Sequence, residues 1–260
     1  MIEDLMDKNP KTRDGSTPLN LAAGLGHYKV FKLFFENVQE KNPKSSRERQ
    51  NKTPFHDAAF NGHLDICRYL LENLVNKSPT DFQGDTPLHD AASNGHFEVF
   101  KLIFENTGKQ NHAMTDDGVT PLHSAAKMGR FDIYKLIFDH LEDKDPRDNN
   151  GKSSLHAAVQ HLSLFHNEDH MKIFKYNFEN GNDVNPADDE GNTVLHYIAK
   201  GWSKFRLKAL VYHTEFEEMA KEIVKFIRNS SGDKCPENNS GMTPSDYISD
   251  PELSKVFTEK

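Results

Sequence analysis

Gly84-Asp-Thr-Pro-Leu-His-Asp-Ala-Ala-Ser-Asn-Gly-His-Phe-Glu-Val-Phe-Lys-Leu-Ile-Phe104 decides the fold. Thr86-Pro87 opens a short helix, because a threonine caps an N-terminus and proline fits the first turn. The inner face of that helix is Leu88, Ala91 and Ala92. Gly95 supplies the positive φ that ends it, and Asn94-Gly95-His96 turns the chain. Phe97, Val99, Phe100, Leu102, Ile103 and Phe104 then give a second, wider apolar helix. Two helices this short cannot bury their apolar faces alone and need copies of themselves on either side.

The copies are present. The Thr-Pro pair or its remnant recurs at Thr17, Thr53, Thr86, Thr120, Ser153, Thr193 and Thr243, in steps of 36, 33, 34, 33, 40 and 50. T-P-F-H-D-A-A stands at Thr53–Ala59, T-P-L-H-D-A-A at Thr86–Ala92 and T-P-L-H-S-A-A at Thr120–Ala126. Weaker versions are T-P-L-N-L-A-A at Thr17–Ala23, S-S-L-H-A-A-V at Ser153–Val159 and T-V-L-H-Y-I-A at Thr193–Ala199. In period and motif this resembles the ankyrin-repeat family across nearly the whole chain. The resemblance implies an all-α solenoid of stacked helix-turn-helix units with short finger-like turns. The repeats fall near 12–47, 48–81, 82–114, 115–147, 148–187 and 188–237, with a C-terminal cap at 238–260, together one domain over 1–260.

Composition agrees with a thin array. Charged residues reach 28% and mean hydropathy is −0.76, as expected where much surface stays wet. A net charge of −8 argues against nucleic acid as the partner, since phosphate attraction needs clustered Lys and Arg. No apolar run approaches membrane-spanning length, and the start lacks the basic-then-apolar pattern of a signal peptide. Cys67 and Cys235 stand 168 positions apart, which suits a reducing compartment. The expectation is a cytoplasmic or nuclear protein whose sequons at Asn51, Asn76, Asn229 and Asn238 stay unmodified.

The ends and the later repeats depart from the pattern. Asp7-Lys8-Asn9-Pro10 resembles the repeat tails at Glu40–Pro43 and Asp143–Pro146, so the sequence starts partway through a repeat. Repeat 1 lacks the polar outer face usual at a terminus. The expectation is a monomer whose apolar N-terminal repeat is covered by residues 1–12, by a partner, or by further repeats of a longer array. With little sequence after Phe257, no ubiquitin-ligase box or kinase domain is expected there, and the chain is expected to act by occupying a surface or as one part of a longer protein. Repeat 5 carries seven extra residues between Leu155 and Met171, in the region of Leu162–Asp169, and repeat 6 seventeen around Trp202–Met219, the latter read as lengthened helices or a packed loop.

Catalysis finds little support. His56, His89, His123, His156 and His196 recur once per repeat. Ankyrin spacing sets them roughly 10 Å apart, too far to share an ion held at about 2 Å. Each is read as a neutral ring bonding the motif hydroxyl and neighbouring backbone. His166 and His170 lie at i,i+4, but no third zinc ligand is specified. Asn150-Gly-Lys-Ser153 lacks the first glycine of a phosphate loop, since Pro146 stands there. The tails starting at Asp143 and Asp183 lack the glycine and closing glutamate of a calcium loop. Neither a metal nor another cofactor is expected.

Recognition remains. In the family this chain resembles, turn tips and the exposed ends of first helices line a concave face that binds other proteins. Carried over, the tips are Arg49, Gln50 and Lys52; Phe82, Gln83 and Asp85; Asp116, Asp117 and Val119; Asn149, Asn150 and Lys152. The helix ends are Phe60 and Asn61, Ser93 and Asn94, Lys127 and Met128, Gln160 and His161. Phe60, Phe82, Val119 and Met128 fit the role of apolar anchors. Asp57 and Asp90 add negative charge to the face. The leading expectation is therefore a non-catalytic scaffold for a protein or peptide. One alternative is a regulatory small-molecule or nucleotide module, with Phe82 or Trp202 stacking on the ligand. Another is a substrate of an asparaginyl hydroxylase, through tails such as Phe178–Asn185.

Overall fold

The computed structural model describes residues 10–46, 50–108, 113–160, 168–206, 213–231, 236–249 and 251–258, and the side chains of 203–206, 213–217, 231, 251–253 and 258 are outside that description. The regular elements among the described residues are helices, with one isolated bridge between Ala187 and Thr193. They form two compact units, Met1–Pro121 and Leu122–Lys260.

In the first unit, short helices α1 (Pro18–Gly24), α3 (Pro54–Asn61) and α5 (Pro87–Asn94) alternate with longer ones. The longer set is α2 (Tyr28–Asn37), α4 (Leu64–Asn73) and α6 (Phe97–Thr107). α3 packs between α1 and α5, and α4 between α2 and α6. Leu88, Ala91 and Ala92 are buried, as are Val99, Phe100, Ile103 and Phe104, so the two apolar faces meet as the pattern requires. Phe100 stacks on Phe104 with centroids 5.5 Å apart, while Tyr69 of α4 meets Phe31 and Phe35 of α2 edge-on. Leu21, Leu25, Val30 and Leu33 of repeat 1 are exposed.

The second unit begins with α7 (Pro121–Lys127, whose first residue closes the first unit) and α8 (Phe131–His140). It continues through α9 (Ser154–Gln160), α10 (Glu168–Glu179), α11 (Val194–Arg206) and α12 (His213–Ser231). A 3-10 turn at Pro244–Tyr247 and α13 (Pro251–Thr258) follow. Among the described residues the extra sequence of repeat 6 goes into helix, since α11 has 13 residues and α12 has 19. The repeat 5 insert falls mostly at 161–167, outside the described residues. Trp202 of α11 is buried edge-on to Phe257 of α13, centroids 5.6 Å apart.

The motif histidines tie consecutive repeats. Thr86 donates both its N–H and its hydroxyl to His89 Nδ1, at 3.1 and 3.0 Å. With Nδ1 accepting, the proton belongs on Nε2, which donates to the Val119 carbonyl at 3.1 Å. His56 reaches Asp85 O, His123 reaches Lys152 O, His156 reaches Asn192 O and His196 reaches Met242 O, all at 2.9–3.1 Å. Each acceptor lies one residue before the next repeat's Thr, Ser or Thr remnant. In repeat 1, Asn20 does the same work, its Oδ1 accepting from Thr17 and its Nδ2 donating to Lys52 O at 3.4 Å.

A second ladder escapes the sequence pattern. His63 Nε2 donates to Gly24 O at 3.0 Å, and His96 Nε2 to Phe60 O at 2.9 Å. This brings the His96 ring within 2.5 Å of where a Cβ on Gly62 would stand, at a backbone with φ of +78°. Glycine is required there on both counts.

Candidate functional site

The turn tips are built from an aspartate or asparagine that folds back on its own turn. Asp81 Oδ1 accepts N–H bonds from Gln83 and Asp85, Asp148 from Asn150 and Lys152, and Asp188 from Glu190 and Asn192. The tip then enters the left-handed region at Gly84, Gly118, Gly151, Gly191 and Gly241, and in repeat 2 at Gln50 and Asn51. Successive tips are joined by backbone bonds. In the first unit Phe82 N donates to Gln50 O at 2.7 Å and Asp116 N to Gln83 O at 3.0 Å. In the second, Asp189 N donates to Asn150 O at 3.1 Å and Asn239 N to Glu190 O at 3.0 Å. A surface made of such tips is preorganised, which lowers the ordering cost of binding.

In the first unit, Phe60 and Phe82 are each 46% exposed, a high value for phenyl rings beside a packed stack. Gln50, Asn61, Gln83, Asp116 and Asp117 are also exposed, whereas Lys52, Asp85, Ser93, Asn94 and Val119 are half-buried. Asn61 and Asn94 turn back to donate to Asp57 O and Asp90 O, each at 2.9 Å. Lys52 joins tip to helices, its Nζ 2.8 Å from Asp90 Oδ1 and 5.1 Å from the Phe60 ring centroid. Asp57 and Asp90 are buried instead of lending charge to the surface, because Asn20 and Lys52 pair with them. Burial is also why the Asp90 carboxyl is pushed up to about 7 despite Lys52, with Asp85 and Asp81 adding to the shift. Asp81 moves up for the same reason.

In the second unit, Asn149 and Asn150 are exposed while Lys127, Met128 and Lys152 are half-buried, and Gln160 is exposed. Val119 and Met128 thus offer less apolar surface than the two phenylalanines. Arg49 and His161 lie outside the described residues. Lys152 Nζ sits 5.4 Å from the Tyr197 ring centroid.

An open polar cavity of about 430 Å3 in the second unit is lined by Asp189, Glu190, Asn192, Lys200, Asn238 and Tyr247, among others. Lys200 Nζ donates to Asn192 Oδ1 at 2.9 Å and lies 4.9 Å from the Tyr247 ring centroid. None of these residues was expected from sequence, although the tip rule that selected Asn149 and Asn150 beside Gly151 also applies beside Gly191 and Gly241. Trp202 offers no stacking platform, being 1% exposed beneath Phe257, which corrects the expectation for that residue.

The buried titratable side chains among the described residues act as braces. Burial pushes the ring of His56 down to about 3, and His89 and His156 to about 4, so all three are neutral braces at pH 7. Burial raises the Cys67 thiol, which removes thiolate character. His170 is buried, with Nε2 3.4 Å from the Lys127 carbonyl, and His166 lies outside the described residues. Among the described residues no three His, Cys, Asp or Glu side chains are placed to hold a metal ion, and no helix is long and apolar enough to cross a membrane.

A family model described as ankyrin repeats in three copies matches residues 1–81, 40–114 and 106–168. The chain belongs to the ankyrin-repeat family. Members of this family generally mediate protein–protein interaction and are generally non-catalytic. A search of curated proteins found no match.

Proposed function

We propose that this ankyrin-repeat chain is a non-catalytic scaffold that binds a protein or peptide on its turn-tip and first-helix face. The observation that carries this reading is the pair Phe60 and Phe82, each 46% exposed on neighbouring repeats whose tips are fastened by the 2.7 Å Phe82–Gln50 bond. Rings held half out of a rigid surface are suited to be hot spots, with Gln50, Asn61, Gln83 and Lys52 as the polar rim. Asp116 and Asp117 extend that face within the first unit at lower energy, and Asn149, Asn150 and Lys152 give the second unit a contact tip of its own. The buried thiol of Cys67 suits a reducing cytoplasm or nucleus, where we place the protein.

Phe60→Ala with Phe82→Ala will lower the amount of partner captured from extracts of the native host about tenfold, equivalent to roughly 1.4 kcal/mol. The melting temperature will hold, because neither ring is in the core. Capture that survives both changes would remove this face from consideration.

A further inference from the structure

The lysine one place before the motif hydroxyl residue meets different partners in the two units. In the first, Lys52 precedes Thr53, and its Nζ reaches Asp90, the residue after the next motif histidine, at 2.8 Å. In the second, Lys152 precedes Ser153, and the residue after the next motif histidine is Tyr197. Lys152 Nζ therefore lies over a ring, 5.4 Å from its centroid, where Lys52 has a carboxylate. A ring attracts an ammonium through its quadrupole but leaves the positive charge in place.

Lys200 of α11 is a second such cation. Its Nζ is 5.6 Å from the Tyr197 centroid and 4.9 Å from that of Tyr247, and it donates to Asn192 Oδ1 at 2.9 Å. Among the described residues no carboxylate forms an ion pair with either ammonium. The nearby acids are engaged elsewhere. Asp188 Oδ1 accepts from the N–H groups of Glu190 and Asn192, and its Oδ2 from the Tyr197 hydroxyl. Asp148 Oδ1 holds its own tip, and Glu190 Oε2 accepts from Asn192 Nδ2 at 2.9 Å.

Lys200 is half-buried and lines the open cavity of about 430 Å3, which gives a partner side chain a way in. The walls are already fixed, since Asn238 Nδ2 donates to Asn192 Oδ1 at 2.9 Å and to the Tyr247 hydroxyl at 3.0 Å. A held cation beside open, preformed space suits an anionic group, because little ordering is left to do.

We propose that this cavity receives the carboxylate side chain of an aspartate or glutamate in a peptide segment of the partner, with Lys200 as its counterion and Lys152 adding attraction. The inference rests on the scaffold reading above and names the chemistry recognised beside the second unit's contact tip. Asp189 and Glu190 line the same cavity. Their charge disfavours a dianion such as a phosphorylated side chain, and favours a single carboxylate flanked by neutral or basic residues.

The probe is a phage-displayed random dodecapeptide library selected on the full chain, followed by calorimetry of the selected peptides at physiological salt. Selected peptides should include a class with an acidic residue at a fixed place. Replacing that residue with its amide, glutamine for glutamate or asparagine for aspartate, should weaken binding to the wild type about tenfold. The same replacement should cost less than about twofold against Lys200→Met, and Lys152→Met should weaken the acidic peptide about threefold. Lys175→Met, which removes an exposed charge on α10, should leave the affinity unchanged. The amide comparison on the wild type stands even if Lys200→Met folds poorly. Equal losses from Lys175→Met and Lys200→Met would overturn the site in favour of net charge alone. Peptides that lose affinity with Phe60→Ala and Phe82→Ala but tolerate the amide and Lys200→Met would overturn the carboxylate site and leave the scaffold reading intact. Peptides indifferent to the phenylalanine and lysine changes alike, or no selected peptide at all, would overturn the two readings together.

Discussion

Repeats 3 and 6 use one backbone for opposite ends. Both hold the tip with an aspartate Oδ1 and brace the helix start with a buried histidine. At the next position repeat 6 places Tyr197, which closes the local hydrogen bonds, and repeat 3 places Asp90, which leaves them open. The difference teaches that the stack is maintained at some positions of the repeat while others are left to vary. Threonine, histidine and glycine maintain the stack, and the residue after the histidine is free to specialise. Changing the shared residues should cost most, and changing the specialised ones should cost little or even stabilise.

The largest effect expected is on the shared histidines. His56, His89 and His156 are neutral in the fold to about pH 3–4, whereas in the unfolded chain they take up protons near 6.5. The unfolded state therefore binds more protons over that window. Stability is full above about pH 6.5 and falls as the pH drops, by roughly 1.4 kcal/mol per pH unit for each ring at full slope. Asp90 and Asp81 run the other way, since their raised folded values favour proton uptake by the native state. Three rings against them leave a net loss on the order of 3 kcal/mol between pH 7 and 5. Urea midpoints at the two pH values test this, and equal midpoints would show that the rings are not held neutral.

Next comes Gly62→Ala, which sets a Cβ against the His96 ring at a left-handed backbone. It should cost about 2 kcal/mol, seen as a lower melting temperature. Tyr197→Phe should cost about 1–2 kcal/mol by leaving Asp188 Oδ2 without its donor, and thus bring repeat 6 nearer to repeat 3. A negligible change would mean that water replaces the hydroxyl freely.

The sequence carried the stack because its constraints are local and repeated. Thr86, Pro87, His89 and Gly95 each have one physical reason to be where they are, and seven registers repeat it. Tip positions followed from the left-handed turn residues, so the locations of Gln50, Phe82 and Asn150 were legible. What pairs with what was not. Asp57 and Asp90 read as surface charge, because nothing in a linear pattern shows Asn20 or Lys52 arriving from the preceding repeat. His96 read as a turn residue and His63 carried no reading at all, since their acceptors lie 36 and 39 positions earlier. Trp202 read as available because its cover, Phe257, comes from the last helix. The cavity beside Lys200 was missed since irregular spacing in repeats 5 and 6 halted the tip pattern at Lys152.

The smallest effect is the most discriminating, since its sign differs from the others. Asp81→Asn keeps an Oδ1 for the N–H groups of Gln83 and Asp85, and Asn238 shows that an asparagine holds such a tip, accepting from Ser240 and Met242 at 3.0 Å. The new amide nitrogen takes the place of Oδ2 and supplies a donor near Asp90, whose charge couples to that of Asp81. One buried negative charge and one unmet acceptor are removed. The variant should therefore gain about 1 kcal/mol, read as a higher urea midpoint at pH 7. The gain should shrink as the pH falls toward 5, because protonated Asp90 no longer repels Asp81 in the wild type. A loss of stability at pH 7 would mean that the two carboxylates already share a donor, and repeat 3 would then be closed in the same sense as repeat 6.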